Sequence, residues 1–350
     1  MNTEEKNRYA RHIILPEIGK GGQQKLKQAK VLVVGAGGLG CPVLQYLTAA
    51  GVGTIGIVDF DKVEESNLQR QVLYSTEDIG KYKTDVSKEK LAKLNPFVKV
   101  TAYCLLLTAA NALEIISQYD IVVDGSDNFA TRYLVNDACV ILNKPLVFGS
   151  IFKFEGQISV FNYKEGPTYR CLYPDPPVEG EMPNCAEIGV IGVLPGIVGT
   201  LQANEAIKII TGIGEVLNEK LLMFNALSVQ FNVFNIVVNP ENKKINKLID
   251  YELFCETAKE ITAEELKQKI KLREDFQLID VREEKEYQNK NIGGILIPLG
   301  ELIKNIDKIN PGKEIIVCCA TGVRSKKAVR LLREKGLKKV YTLKNGLLDF

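Results

Sequence analysis

The chain of 350 residues holds a single histidine, His12. Acid–base chemistry built on imidazole, and metal sites that use several imidazoles, have almost nothing to draw on. Its eight cysteines, at 41, 104, 139, 171, 185, 255, 318 and 319, contain no Cys-x-x-Cys pair. In a chain this long they do not read as a disulfide framework. No uninterrupted apolar run approaches the length of a membrane span. The opening MNTEEKNRYARH lacks the apolar core of a secretory signal, so the expected address is cytoplasmic, with no membrane partner. Net charge is only +2, which gives no sign of a nucleic-acid partner. What is present is ordinary: 45% hydrophobic and 25% charged residues, enough to fill a core in each of two domains.

The apolar runs come in short blocks separated by helix-length stretches. Strands are expected at 31–34, 54–58, 99–104, 121–123, 145–148 and 158–161, with helices at 39–50, 83–94, 109–118 and 129–142. Alternation of this kind predicts a doubly wound, Rossmann-like α/β sheet. Residues 164–187 carry five of the 13 prolines and read as a long irregular loop. A helix follows from Gly196 to Thr211, and then the polar, lysine-rich 239–250 segment, a plausible linker. A second, small α/β unit starts near Ile261. Its signs are a Thr262–Glu265 capping pair, strands at 276–280, 314–319 and 339–343, and a helix over 325–335. The expected division is 1–238, a linker over 239–260, and 261–350.

Gly35-Ala-Gly37-Gly38-Leu-Gly40 joins the first strand to the first long helix. Glycines there let backbone approach phosphate, and the helix N-terminus offers unpaired N–H groups to an anion. Asp59 ends the next strand, where a carboxylate can hold ribose hydroxyls. Alone, this turn admits an NAD-dependent oxidoreductase as readily as any nucleotide enzyme. The following residues shift the balance. Asp61, Asn67, Arg70, Gln71 and Lys83 cluster after Asp59, and Asp127 and Asn128 end a later strand with Arg132 one turn beyond. Cations and carboxylates at the carboxyl edge of one sheet suit a triphosphate with Mg²⁺ better than a bridging pyrophosphate.

The second unit has one comparable loop. Cys319-Ala-Thr-Gly322-Val-Arg324-Ser325 lies between a strand and a helix. Successive N–H groups in such a loop form an anion nest that stabilises a thiolate or persulfide, and Arg324 adds a full positive charge. Cys318 alternates to the other face of its strand and is expected in the core.

Taken together, Arg11-His-Ile-Ile-Leu15, the GAGGLG turn, Asp59-Phe-Asp61, SNLQRQ at 66–71, Lys83, SDN at 126–128 with Arg132, and FEGQISVF at 154–161 resemble the MoeB/ThiF family of E1-like activating enzymes. The resemblance runs from about residue 7 to 238. It implies ATP-dependent adenylation of the C-terminal glycine of a ubiquitin-like sulfur carrier of the MoaD or ThiS type, ending in Gly-Gly. By position, Gly37, Asp59, Asn67, Arg70 and Lys83 would hold ATP, and Asp127 would coordinate Mg²⁺. The family arginine matching Arg11 reaches into the neighbouring subunit's site, which implies a homodimer. Many members bind zinc through two Cys-x-x-Cys pairs. Here the first is reduced to Thr168-Tyr-Arg-Cys171 and the second is missing after Pro240, so no zinc is expected and something else must brace that end of the domain.

Residues 261–350 resemble a rhodanese domain through Asp280-Val-Arg282-Glu283, Ile292-Gly-Gly-Ile295, the Cys319 loop and Asn345-Gly-Leu. That resemblance implies a persulfide on Cys319, taken from a persulfide or thiosulfate donor. Asn291 stands where a histidine is common, and Cys318 where an aromatic is usual. Ile249-Asp-Tyr-Glu-Leu-Phe-Cys255 is similar to the join in MoeB–rhodanese fusions, in which one polypeptide activates the carrier and sulfurates it, in molybdopterin or thiamine biosynthesis. Cys185 matches a family cysteine proposed to form a covalent link with the carrier. The third reading, a non-catalytic carrier-binding scaffold, would show a broken ATP set, and here the set is whole.

Overall fold

The computed structural model describes residues 1–176, 189–251, 254 and 259–350. They form two compact units, with the break between Leu248 and Ile249. The polar 239–248 segment, expected as linker, therefore belongs to the first unit.

The first unit is built on an eight-stranded sheet in the order β3-β2-β1-β4-β5-β6-β7-β8. Strands β1 (Lys30–Val34), β2 (Thr54–Val58), β3 (Lys99–Tyr103), β4 (Ile121–Asp124) and β5 (Leu146–Phe152) run parallel. Val31 to Val34 are buried on both faces, as a continuous apolar run in a parallel interior requires. Helices α1 (Thr3–Arg8), α2 (Ala10–Ile13) and α3 (Gly19–Gln28) precede the sheet. Crossovers are made by α4 (Gly40–Ala50), α5 (Lys83–Leu94), α6 (Ala112–Ser117) and α7 (Phe129–Ile141). Short α8 (Tyr169–Leu172) follows the sheet's sixth strand, and long α9 (Val193–Thr211) packs on α4, β5 and the sixth strand. One core joins Val31, Val33, Leu44, Leu47, Ile55 and Ile57 to Ala203 and Ala206 of α9. Each buried Leu or Ile there is worth about 1.5–3 kcal/mol.

Strand order reverses between β1 and β4, so the loops leaving their carboxyl ends diverge and open a crevice, the expected ligand position in a doubly wound sheet. Two strands went unforeseen. After β6 (Glu155–Phe161), β7 (Lys220–Asn225) and β8 (Gln230–Asn235) extend the sheet as antiparallel neighbours. Their hairpin turns through Val229 at φ +54°, with none of the Asn-Gly or Asp-Gly chemistry that marks such a turn in sequence. Short α8 also interrupts the expected irregular loop, and α9 starts at Val193 with Pro195 inside its first turn, where proline is tolerated.

The second unit carries a parallel five-stranded sheet, β11-β10-β12-β13-β9, built from β9 (Lys259–Ile261), β10 (Phe276–Asp280), β11 (Ile295–Leu296), β12 (Glu314–Cys318) and β13 (Val340–Leu343). Its helices include α10 (Ala263–Leu272), α11 (Glu284–Asn289) and α12 (Val323–Glu334). The Thr262–Glu265 capping box forms as its spacing predicts: the Glu265 N–H donates to Thr262 Oγ1 at 3.2 Å and the Thr262 N–H to Glu265 Oε2 at 2.8 Å. Alternation along β10 and β12 splits the interior into two cores. Ile279, Val317 and Cys319 enter one, while Leu278, Ile316 and Cys318 enter the other. Among the described residues no helix is long and apolar enough to cross a membrane.

Candidate active sites

The crevice at the β1/β4 reversal is a cavity of about 420 Å³. Gly35 closes its floor. It sits at φ +90°, and a Cβ there would lie 2.8 Å from the Gly125 carbonyl oxygen, so only glycine lets the loops after β1 and β4 meet. Asp59 hangs over this turn. Its Oδ2 accepts the Ala36 N–H at 2.7 Å and its Oδ1 the Asp61 N–H at 2.8 Å. Burial pushes the Asp59 carboxyl above its ordinary value, against the pull of Lys83 and these two donors. Each oxygen keeps a further lone pair, as ribose hydroxyls require. Lys83 opens α5, only 5% exposed, with its Nζ 2.8 Å from Asp61 Oδ2.

Gly35, Gly37, Gly38, Asp59, Asp61, Arg70, Gln71, Lys83, Asp127, Asn128 and Arg132 all line this cavity. Gln71 is buried with its Oε1 lacking a hydrogen-bond partner, a group that a bound ligand would satisfy. Two residues expected at this site, Gly40 and Asn67, do not line the cavity, and neither does Arg11, which was expected in a neighbouring subunit's site. Gly40 packs beneath the turn, where an added methyl would meet the Gly35 oxygen at 2.0 Å. Asn67 turns inward: its Oδ1 accepts the Glu64 N–H at 3.3 Å, which shapes the segment that presents Arg70. Arg11 is exposed on α2 and is not part of the cavity wall. Asn128 does reach the wall, but its Oδ1 also caps α7 by accepting the Thr131 N–H at 2.8 Å.

Sequence reasoning missed Asp124. It is fully buried at the end of β4, and its Oδ1 accepts the Ser126 N–H at 2.9 Å. Burial raises its carboxyl above the ordinary value, opposed by Arg132. The guanidinium of Arg132 lies 5.6 Å from the ring centres of both Phe129 and Phe148, so its charge is held over aromatic faces at the cavity edge. A strand-end aspartate was visible in the sequence. Its burial was not.

In the second unit, β12 delivers Cys319 to the head of α12, and the loop closes around its sulfur. Cys319 Sγ accepts the N–H of Gly322 at 3.2 Å and of Ser325 at 3.3 Å, with Ser325 Oγ 3.5 Å away. Gly322 turns its N–H inward at φ +90°, which a side chain would oppose. Ser325 Oγ is itself fixed at 2.7 Å from Thr342 Oγ1. Below the loop, Arg282 pairs with Asp280 through Nη2–Oδ2 at 2.7 Å, both buried. Arg324 brings its positive charge to the loop paired with a carboxylate. Its Nη1 and Nη2 donate to the two oxygens of Glu286 at 2.7 and 2.6 Å. Asn291 serves its own turn, donating to the Tyr287 carbonyl at 3.0 Å and accepting the Gly293 N–H at 3.2 Å. Cys318 lies in the opposite core and burial pushes its thiol well above the ordinary value. Cys185 lies outside the described residues.

Cys171, the remnant of a possible zinc site, is engaged otherwise. Its Sγ accepts the N–H of Asn239 at 3.3 Å, the N–H of Thr168 at 3.4 Å and Asn242 Nδ2 at 3.6 Å. Burial raises the thiol, but these donors outweigh it and bring it below its ordinary value. No group of three or more Cys, His, Asp or Glu suited to a metal occurs among the described residues. Arg170 to Asp137 at 2.7 Å and Lys243 to Glu165 at 2.9 Å add ion pairs at the same end. Among the described residues, hydrogen bonds and ion pairs brace this end. Two outcomes follow: a strong chelator leaves the first unit's melting temperature unchanged, and Cys171→Ala lowers stability by about 1–2 kcal/mol. Calorimetry with and without chelator checks both.

A doubly wound sheet with a cation-lined cavity at its reversal point, joined to a unit that nests a thiol in backbone N–H groups, defines a nucleotide-using enzyme coupled to a sulfur-handling module. Comparison with known proteins narrows this. The sequence pattern of the ThiF family matches residues 9–247 and that of the rhodanese-like domain residues 262–350. The chain is 43% identical to the probable adenylyltransferase/sulfurtransferase MoeZ of Mycobacterium tuberculosis, over 99% of this chain and 93% of that protein. It is 54% identical to the sulfur carrier protein adenylyltransferase of Thermus thermophilus, over 72% of this chain and 97% of that protein. The crystal structure of Escherichia coli MccB with ATP superposes with a TM-score of 0.60 at 27% identity, over 68% of this chain and 73% of that one. The chain belongs to the ThiF family, in the form that carries a rhodanese-like domain, and is an ATP-using adenylyltransferase and sulfurtransferase. The oxidoreductase and inert-scaffold readings fall away.

Proposed function

We propose that the first unit adenylates the C-terminal glycine of a ubiquitin-like sulfur carrier ending in Gly-Gly, and that Cys319 then supplies the sulfur of a thiocarboxylate for molybdopterin or thiamine biosynthesis in the cytoplasm. The observation that carries this is the gathering of Asp59, Arg70, Lys83 and Asp127 around one cavity. Asp59 accepts from the ribose while the carrier carboxylate attacks the α-phosphorus. Arg70 and Lys83 offset the charge that grows on the leaving pyrophosphate. Asp127, exposed at the rim, would hold Mg²⁺, whose charge adds to theirs. The exposed position of Arg11 outside the cavity wall supports a role in the neighbouring copy of a homodimer.

The sulfur step is balanced as follows. The Cys319 thiolate takes the outer sulfur of a persulfide or thiosulfate, which leaves as a thiolate or sulfite. The resulting Cys319–S–S⁻ attacks the acyl-adenylate, expelling AMP and forming an acyl disulfide. The Cys185 thiolate then attacks the Cys319 sulfur, which releases the carrier thiocarboxylate and leaves a disulfide for a thiol reductant. The expected result is ATP–pyrophosphate exchange that requires a carrier ending in Gly-Gly and vanishes when its last glycine is removed. Absence of exchange across a panel of such carriers would overturn the reading.

A further inference from the structure

Three basic side chains around the Cys319 loop are matched with carboxylates. Arg282 holds Asp280, Lys326 lies 2.9 Å from Glu260, and Arg324 forms its two-pronged contact with Glu286. The last pair is the most exposed of the three, with Arg324 33% and Glu286 37% exposed at the side chain. Glu286 is fixed a second time, because its Oε2 accepts the Glu283 N–H at 3.1 Å on the first turn of α11. Glu283 and Glu284 stand exposed on that turn and add negative charge. An incoming donor therefore meets the partial charges of the Gly322 and Ser325 N–H groups, not a free guanidinium. A full countercharge favours a dianion about twice as strongly as a monoanion at the same distance.

We propose that Glu286 is a specificity-determining residue: by clamping Arg324 it turns the Cys319 site away from small dianionic sulfur donors such as thiosulfate and toward persulfides carried on a thiol. This rests on the reading of Cys319 as the sulfur acceptor. With thiosulfate, the Cys319 thiolate attacks the outer sulfur, the sulfur–sulfur bond breaks and sulfite departs with the electron pair. With cysteine persulfide, the same attack releases cysteine thiolate. Cyanide then removes the sulfur as thiocyanate and regenerates the thiolate. The two donors differ in charge where Arg324 would meet them.

The test measures thiocyanate formation by the full chain with each donor. In Glu286→Gln the clamp is lost, and KM for thiosulfate falls roughly five- to tenfold while kcat holds. KM for cysteine persulfide falls only about two- to threefold, because a monoanion gains about half as much from the freed cation. Adding Arg324→Gln cancels the gain, and Glu286→Asp, which keeps the charge, stays close to the wild type. An unchanged thiosulfate KM in Glu286→Gln, or an equal loss of kcat with both donors, overturns the proposal. Wild-type protein unable to form a Cys319 persulfide from either donor would instead remove the reading beneath it.

Discussion

Cys319→Ala abolishes sulfur transfer from thiosulfate and thiocarboxylate formation on the carrier, yet leaves carrier-dependent ATP–pyrophosphate exchange within about twofold of the wild type, since it removes no group that meets the nucleotide. Among the described residues, the adjacent thiol does not stand in for the lost one. Cys318 is adjacent in sequence but faces the other core, and burial disfavours its thiolate. The nest itself survives, because Gly322 and Ser325 are fixed by the chain and Ser325 Oγ keeps Thr342. Loss of one buried sulfur costs about 1 kcal/mol, which a folded unit tolerates. Thiocyanate release and the mass of the carrier measure the sulfur step, and radiolabelled pyrophosphate exchange measures adenylation. Loss of both activities would show that the two chemistries are not divided between the units, and retention of sulfur transfer would remove Cys319 from its role.

Much of both sites was legible because each depends on local chain chemistry. A glycine turn between an apolar run and a helix, with an aspartate at the next strand end, has one economical geometry, and Gly35, Gly37 and Asp59 adopt it around the cavity. The Cys319 loop is likewise local, seven residues that close on their own sulfur. What escaped the sequence is set by neighbours distant along the chain. Asn67 was assigned to ATP by its position in the family pattern, and its bond to the Glu64 N–H could not be read from the sequence. Asp124 differs from any strand-end aspartate only in the burial and in Arg132 beside it. Arg324 was read only as an added positive charge, and the carboxylate that pairs with it lies 38 residues earlier. Strands β7 and β8 also went unforeseen, although Gln230-Phe-Asn-Val233 alternates polar and apolar residues; β8 is exposed along its length.

Lys83→Ala reverses the dissociation. Carrier-dependent exchange falls about 10²- to 10³-fold, the usual consequence of deleting one preorganised charge that faces a developing anion. Persulfide formation on Cys319 from thiosulfate is untouched. Lys83 is suited to this role by position. It opens α5, where the backbone fixes its Cα, and its buried stem brings Nζ to the cavity wall. Without a nucleotide the ammonium rests on Asp61, whose carboxylate is 52% exposed at the side chain and can return to water when phosphate competes for the cation. The same exposure keeps the variant folded, since Asp61 loses a partner without being left buried. Lys83→Arg retains the charge at a longer reach and should recover part of the rate. Asp61→Asn frees Lys83 and should cost far less than Lys83→Ala. Equal losses in the two alanine and asparagine variants would mean that the ion pair shapes the site and that Lys83 does not meet the phosphates; a loss below about threefold in Lys83→Ala would remove it from transition-state stabilisation altogether.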